Sequence, residues 1–172
     1  MIAKKFLNKC KSIKLVITDV DGVLTDGGMY YSDKGEILKK FNTRDGMAVE
    51  LLHKFSIKTI FLTSENSKIA KSRAKKVKAD FCYINIKDKY ELLPEICKKF
   101  HVKPDNIAYI GDDINDLKIM KHVSLSASPK DANENIRIIS DLKCKKSGGS
   151  GVFREFADFI LVNGYNHKTS TR

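Results

Sequence analysis

The stretch Ile13-Lys-Leu-Val-Ile-Thr-Asp-Val-Asp-Gly-Val-Leu-Thr25 constrains the fold of this chain more than any other. Leu15 to Ile17 form a short aliphatic run that predicts a strand covered on both faces of a sheet. The run stops at Asp19, Asp21 and Gly22. Asp is a poor strand former, so two carboxylates where a buried strand ends need a reason. Side chains two apart on extended backbone point the same way, which brings both acids to one spot beyond the strand's carboxyl end. Open α/β sheets bind ligands there. For a lone Asp-x-Asp, a turn or helix cap is the simpler account. The remainder of the chain decides between them.

After a helical lead-in over residues 1–12, the acidic strand end runs into a hairpin. Gly27 to Ser32 and Ile37 to Phe41 flank turn chemistry at Asp33 to Gly35, and such a hairpin projects over the strand ends as a flap. Residues 43–55 place Met47, Leu51 and Phe55 beside Ala48 and Leu52, an amphipathic helix. Ile57 to Leu62 is a second strand, ending in Thr63-Ser64-Glu65-Asn66-Ser67, where the polar residues also serve as caps for a helix over 67–78. A strand at 81–84 and a helix over 88–100 follow, with Pro94 tolerated in or near the first turn. Ile107 to Ile110 is the fourth strand, and it stops at a second acidic end, Gly111-Asp-Asp-Ile-Asn-Asp116. Helix 114–121, strand 123–126, helix 130–139, the glycine run Ser147 to Gly151 and helix 153–161 complete the pattern. Residues 163–172 are polar and expected to be a mobile tail after a single domain over 1–162.

This alternation predicts an α/β fold with a doubly wound, mostly parallel sheet. Parallel strands then deliver Asp19 and Asp21, Thr63, and Asp112 and Asp116 to one edge. The 172 residues suit one domain, whose common size is roughly 100–150 residues. No apolar run approaches the ~20 residues of a membrane helix, and the start lacks a signal peptide's apolar core, so a cytoplasmic protein is expected. Cys10, Cys82, Cys97 and Cys144 have no metal-ligand spacing and read as reduced thiols. The net charge of +11 comes from lysines spread through every predicted helix, with no Arg-rich tract. That describes a solvated surface, and a field attractive to an anionic substrate, better than it describes a nucleic-acid-binding face.

Two facing acidic clusters repel unless a cation lies between them, and hard oxygen donors without His or Cys suit Mg²⁺. A carboxylate beside a phosphoryl group can attack it, and a second can protonate the leaving alcohol and then activate water. A hydroxyl and a lysine would hold the phosphoryl oxygens, and Thr63 and Lys89 are the candidates. Lys89 taken alone is an ordinary surface lysine; its place between the Thr63 and Asp112 segments singles it out.

These residues resemble the four motifs of the haloacid dehalogenase (HAD) superfamily of phosphatases, over nearly the whole chain. Asp19-Val-Asp-Gly-Val-Leu-Thr25, Phe41-Asn-Thr-Arg-Asp-Gly46 and Gly148-Gly-Ser-Gly-Val-Phe-Arg-Glu155 resemble a narrower, capless branch. That branch includes 3-deoxy-D-manno-octulosonate 8-phosphate (KDO 8-phosphate) phosphatases, phosphatases of nine-carbon sialic-acid-type sugars, and a domain of animal N-acylneuraminate cytidylyltransferases. The resemblance implies a Rossmann-like HAD fold with a hairpin flap and no cap domain. Asp19 becomes nucleophile and metal ligand. Asp21 becomes general acid/base and binds the metal through its backbone carbonyl. Thr63 and Lys89 hold the phosphoryl group, Asp112 completes the Mg²⁺ site, and Asp113 and Asp116 support it. It also implies a homotetramer in which a neighbour's hairpin and glycine-rich tail help close the site, giving Arg44, Gly148, Gly149 and Arg154 a part in substrate binding.

One departure bears on the substrate. Octulosonate enzymes typically follow the motif threonine with Gly-Arg, whereas this chain has Ser64-Glu65, closer to the nonulosonate 9-phosphate pattern. Arg73 and Lys76, three apart on one helical face, are candidates for a sugar carboxylate, or simply solvated helix charge. A different class of reading, a regulatory or assembly subunit with a residual HAD site, is disfavoured by the complete set of catalytic residue types.

Overall fold

The computed structural model describes residues 4–165. Its centre is a six-stranded parallel sheet in the order β5-β4-β1-β6-β7-β8. The strands are β1 (Leu15–Thr18), β4 (Lys58–Leu62), β5 (Phe81–Tyr83), β6 (Ile107–Ile110), β7 (Leu125–Ser128) and β8 (Leu142–Lys143). β2 (Tyr30–Ser32) and β3 (Gly35–Leu38) form a separate antiparallel hairpin. β1 pairs with β4 on one side and β6 on the other, Thr18 lying opposite Phe61 and Ile110. The chain winds from β1 toward β5, then returns past β1 to β6, so the winding direction switches at the carboxyl end of β1. Asp19, Thr63 and Gly111 are the next residues of three adjacent strands.

All four residues of β1 are buried, as the aliphatic run requires. Val16 joins a core with α1 (Lys4–Ser12), α2 (Thr43–Lys54), α3 (Lys68–Val77) and α7 (Val152–Tyr165). Leu15 and Ile17 point to the other face, under α4 (Leu93–Phe100), α5 (Leu117–Met120) and α6 (Glu134–Ile139). Asn42 caps α2 by accepting from Arg44 N at 2.9 Å, and Ser67 caps α3 by accepting from Ala70 N at 3.3 Å.

Several expected boundaries move. The helix expected from residue 88 begins at Leu93, because proline fits only the first turn and clashes with a carbonyl four residues back. Residues 89–92 form a turn instead, with the Asp88 carboxylate accepting from Tyr90 N and Glu91 N. The strand expected at 123–126 runs over Leu125–Ser128; Ser124 N donates to Pro104 O in the turn before β6 and to Ile107 O at the first residue of β6. The segment expected as helix 114–121 starts as a 3₁₀ turn, Ile114–Asp116, before α5. Helix 130–139 is shortened to α6, capped by Asn133. Strand β8, two residues long, carries no readable pattern. α7 continues to Tyr165, past the boundary expected at 162, and the rest of the expected tail lies outside the described residues. No helix among the described residues is long and apolar enough to cross a membrane.

Candidate active site

Asp19 follows β1 and is 4% exposed. Its backbone N–H donates to Ile110 O at 3.0 Å, continuing the β1–β6 ladder one step into the site. Lys89, carried in by the turn before α4, is fully buried. Its ammonium donates to Asp19 Oδ1, and to Asp116 Oδ1 at 2.6 Å. Asp116 is the hub of the opposite wall. It also accepts from the Tyr109 hydroxyl at 2.5 Å and from Asp112 N at 3.0 Å. Gly111 makes room for it: a Cβ there would lie 2.4 Å from Asp116 Oδ2.

Thr63 is buried and donates to Asp21 Oδ2 at 3.2 Å while accepting from Glu65 N at 3.0 Å. Asp19, Asp21, Thr63, Ser64, Glu65, Asp112 and Asp113 all line one cleft of about 170 Å³, together with Met29 from the hairpin base and Asn115. Asn115 Nδ2 donates to Ser64 Oγ at 3.1 Å, joining the ends of β4 and β6 across the cleft.

Burial pushes the Asp19 carboxyl up to about 7 against the pull of Lys89, with Asp116 adding to the rise. Burial also lifts Asp112 to about 8, reinforced by Asp19 and Asp116. Lys89 is driven the other way: burial opposes its charge, but Asp19 and Asp116 prevail and raise its pKa. One ammonium therefore serves several crowded carboxylates. Carboxylate oxygens of Asp19, Asp112 and Asp116 all lie within 4.8 Å of one another. A hard divalent cation fits this all-oxygen set and would relieve its repulsion. The Asp21 carboxylate is turned toward Thr63 and Lys39 and stands outside this side-chain trio, which leaves its expected metal contact, through the backbone carbonyl, untouched.

Other expected site residues lie elsewhere. Arg73 Nη2 donates to Asn42 O at 3.0 Å, and Arg73 and Lys76 line a separate cleft between α2 and α3. Arg154 pairs with Asp158 along α7 at 2.8 Å, and its backbone N–H donates to Asp45. Arg44 is exposed beside Gly151. Gly148 and Gly149 do abut the site, but within this same chain: they pack on the loop from Gly22 to Asp26, and Gly149 N donates to Val23 O at 2.9 Å.

Tyr109, Asn115 and Lys39 escaped the sequence reading. Tyr109 looks like any aromatic in a buried strand, and Lys39 like one more lysine of a lysine-rich surface. Lys39 Nζ in fact lies 2.5 Å from both Asp21 Oδ1 and Glu36 Oε1, with its side chain shielded from solvent.

Residues 53–156 match the sequence profile of the haloacid dehalogenase-like hydrolases. The chain belongs to that family. It is 32% identical over 161 residues to the 3-deoxy-D-manno-octulosonate 8-phosphate phosphatase KdsC of Escherichia coli K12, covering 94% of this chain and 86% of the relative. Among solved structures, the cobalt-bound deoxy-D-mannose-octulosonate 8-phosphate phosphatase of Haemophilus influenzae superposes with a TM-score of 0.88 at 34% identity, covering 91% of each chain. The Moraxella catarrhalis 3-deoxy-D-manno-octulosonate 8-phosphate phosphatase, in complex with magnesium, phosphate and KDO, superposes at 0.90 with 33% identity, covering 94% of this chain and 93% of its own. Both are HAD-type α/β folds, as this chain is.

Proposed function

We propose that this HAD phosphatase removes the terminal phosphate of a 3-deoxy-ulosonic acid, in the cytoplasm, through an aspartyl phosphate on Asp19. The observation that carries the reading is the wholly buried Lys89 ammonium held between Asp19 and Asp116. Mg²⁺ is the cofactor; when bound it acts as a Lewis acid that neutralises phosphoryl oxygens. Asp19, Asp112 and the backbone carbonyl of Asp21 would hold it, with Asp113 and Asp116 in support.

Lys89 occupies Asp19 Oδ1, which leaves Oδ2 as the attacking oxygen. Attack forms a bond between that oxygen and phosphorus and breaks the ester P–O bond, while Asp21 gives a proton to the departing alcohol. Thr63 and Lys89 hold the phosphoryl oxygens as charge shifts onto them. Asp21, now ionised, takes a proton from water as it attacks phosphorus, releasing phosphate and restoring Asp19.

The named relatives support KDO 8-phosphate as the substrate. A second reading, a nonulosonate 9-phosphate, is favoured by Ser64 and Glu65, which line the cleft where octulosonate enzymes typically carry Gly-Arg. Phosphate release from KDO 8-phosphate, a nonulosonate 9-phosphate and a generic sugar phosphate, each with Mg²⁺ and with EDTA, separates them. Strong Mg²⁺-dependent preference for one acid sugar supports the reading, and equal, feeble turnover of all three overturns it.

The proposal includes a homotetramer. The hairpin stands apart from the main sheet and leaves Tyr30, Tyr31, Ile37 and Leu38 between 51% and 60% exposed, an apolar surface that an isolated ribbon does not sustain in water. A monomer by light scattering at micromolar concentration would contradict it.

A further inference from the structure

Lys39 is the one lysine besides Lys89 whose ammonium reaches the strand-end carboxylates among the described ion pairs. It follows β3 and comes from the hairpin, not from the sheet. Its side chain is fully shielded and bridges two acids at 2.5 Å, Asp21 Oδ1 and Glu36 Oε1. Glu36 in turn accepts from Ser67 Oγ at 2.8 Å, and Ser67 caps the helix that follows the Thr63 loop. A continuous chain thus runs from α3 through Glu36 and Lys39 to Asp21 and back to Thr63. The neighbouring Lys40 points outward and pairs with Asp26 on the surface, its side chain 64% exposed.

The two oxygens of Asp21 are therefore not equivalent. An ammonium has three donors and no acceptor, so Oδ1 cannot carry a proton that points at Lys39. Lys39 therefore disfavours a proton on Oδ1, and Oδ2, 3.2 Å from Thr63 Oγ1 and turned toward the phosphoryl-binding wall, is the oxygen left to carry it. We propose that Lys39 is a positioning residue that selects Oδ2 of Asp21 as the proton-donating oxygen, so that the hairpin sets the geometry of leaving-group protonation. The inference rests on the reading of Asp21 as general acid. It assigns the flap a chemical task in addition to covering the cleft. When the ester P–O bond breaks, the electron pair moves to the leaving oxygen, the Oδ2 proton follows it, and Asp21 is left as a carboxylate neutralised by Lys39.

A group that positions the acid matters in proportion to how much the leaving group needs its proton. An alkoxide leaves poorly without protonation, whereas p-nitrophenolate leaves readily as the anion. The test compares kcat/KM, which reports steps through leaving-group departure, for a sugar phosphate and for p-nitrophenyl phosphate in the native enzyme and in Lys39→Met, Lys39→Arg, Lys40→Met and Asp21→Asn. The ratio of the two substrates is independent of how much variant folds, because the same active fraction turns over both. Lys39→Met should lower the sugar-phosphate value at least about tenfold more than the p-nitrophenyl value, a part of the roughly 10²–10⁴-fold effect of a general acid. Lys39→Arg, also an all-donor cation, should restore most of the ratio, and Lys40→Met should leave it at the native value. If Asp21→Asn shows the asymmetry and Lys39→Met lowers both substrates equally, Lys39 is only a latch and the proposal is overturned. If Asp21→Asn itself shows no asymmetry, the acid assignment fails first, and with it the role of Lys39.

Discussion

Gly148 lies flat against the carbonyl of Gly22: a Cβ at Gly148 would come within 2.1 Å of Gly22 O and 2.8 Å of Thr25 O. Both contacts are to backbone, which cannot swing aside as a side chain can. The glycine run therefore braces the loop that carries Asp21. Gly148→Ala should cost about 1–3 kcal/mol through overpacking, seen as a lowered Tm, and should lower kcat more than tenfold by displacing that loop. Unchanged kcat would show that the run is only a linker.

Among the described ion pairs, Lys89 is the one cation that reaches the buried carboxylates of Asp19 and Asp116. Lys89→Met should reduce turnover by about 10²–10³-fold. Without Mg²⁺ it should also destabilise the fold by about 3–5 kcal/mol, since removing one partner strands buried charge. Denaturant titration with and without Mg²⁺ checks both parts, and a variant as stable as the native protein in EDTA would contradict the electrostatic account.

Those acids were the most legible part of the chain. Asp19, Asp21 and Asp112 stand where buried strands end, against their own propensity, and the parallel order of β1, β4 and β6 brings Thr63 alongside them. Lys89 was legible through its order among the motifs, but not its burial, because the apolar spacing of Leu92, Leu93, Ile96 and Phe100 reads straight through the turn that Pro94 enforces. Arg73 and Lys76 do share a helix side, yet helical spacing says nothing of which cleft that side meets; α3 packs beside α2, so they face His53 and Glu50 instead of Asp19. Lys39 left no trace, since its neighbour Lys40 has the same chemistry and opposite burial.

Mg²⁺ should stabilise the protein as well as activate it, because burial, reinforced by neighbouring carboxylates, raises the pKa values of Asp19 and Asp112, and a bound cation favours their charged forms. At a hundredfold excess over Kd the gain is about 2.7 kcal/mol, or roughly 5–10 °C in Tm for a chain of this size. Thermal melts in EDTA and in Mg²⁺ read this directly. An identical Tm in both would remove the metal from the acidic trio.

Asp45 gives the stability a pH dependence away from the cleft. It is 4% exposed, accepts from Arg154 N through Oδ1, and has no partner for Oδ2 among the described hydrogen bonds. Burial pushes its carboxyl up to about 6 from an ordinary 3.8. The native state thus holds an extra proton between those values, and stability falls as pH rises through the window. Asp45→Asn should flatten that fall and raise stability at pH 7 by up to about 3 kcal/mol. Urea titrations from pH 4 to 7 test it, and a variant less stable than native at pH 7 would show that the charge is compensated.

The most direct test of the account is to trap the phosphorylated enzyme. Borohydride added during Mg²⁺-dependent turnover reduces an acyl phosphate to the alcohol, so Asp19 should be recovered as homoserine in peptide mass spectra, and Asp19→Asn should yield neither turnover nor product. Turnover that continues while Asp19 is recovered unreduced, or reduction at another carboxylate, would contradict Asp19 as the nucleophile.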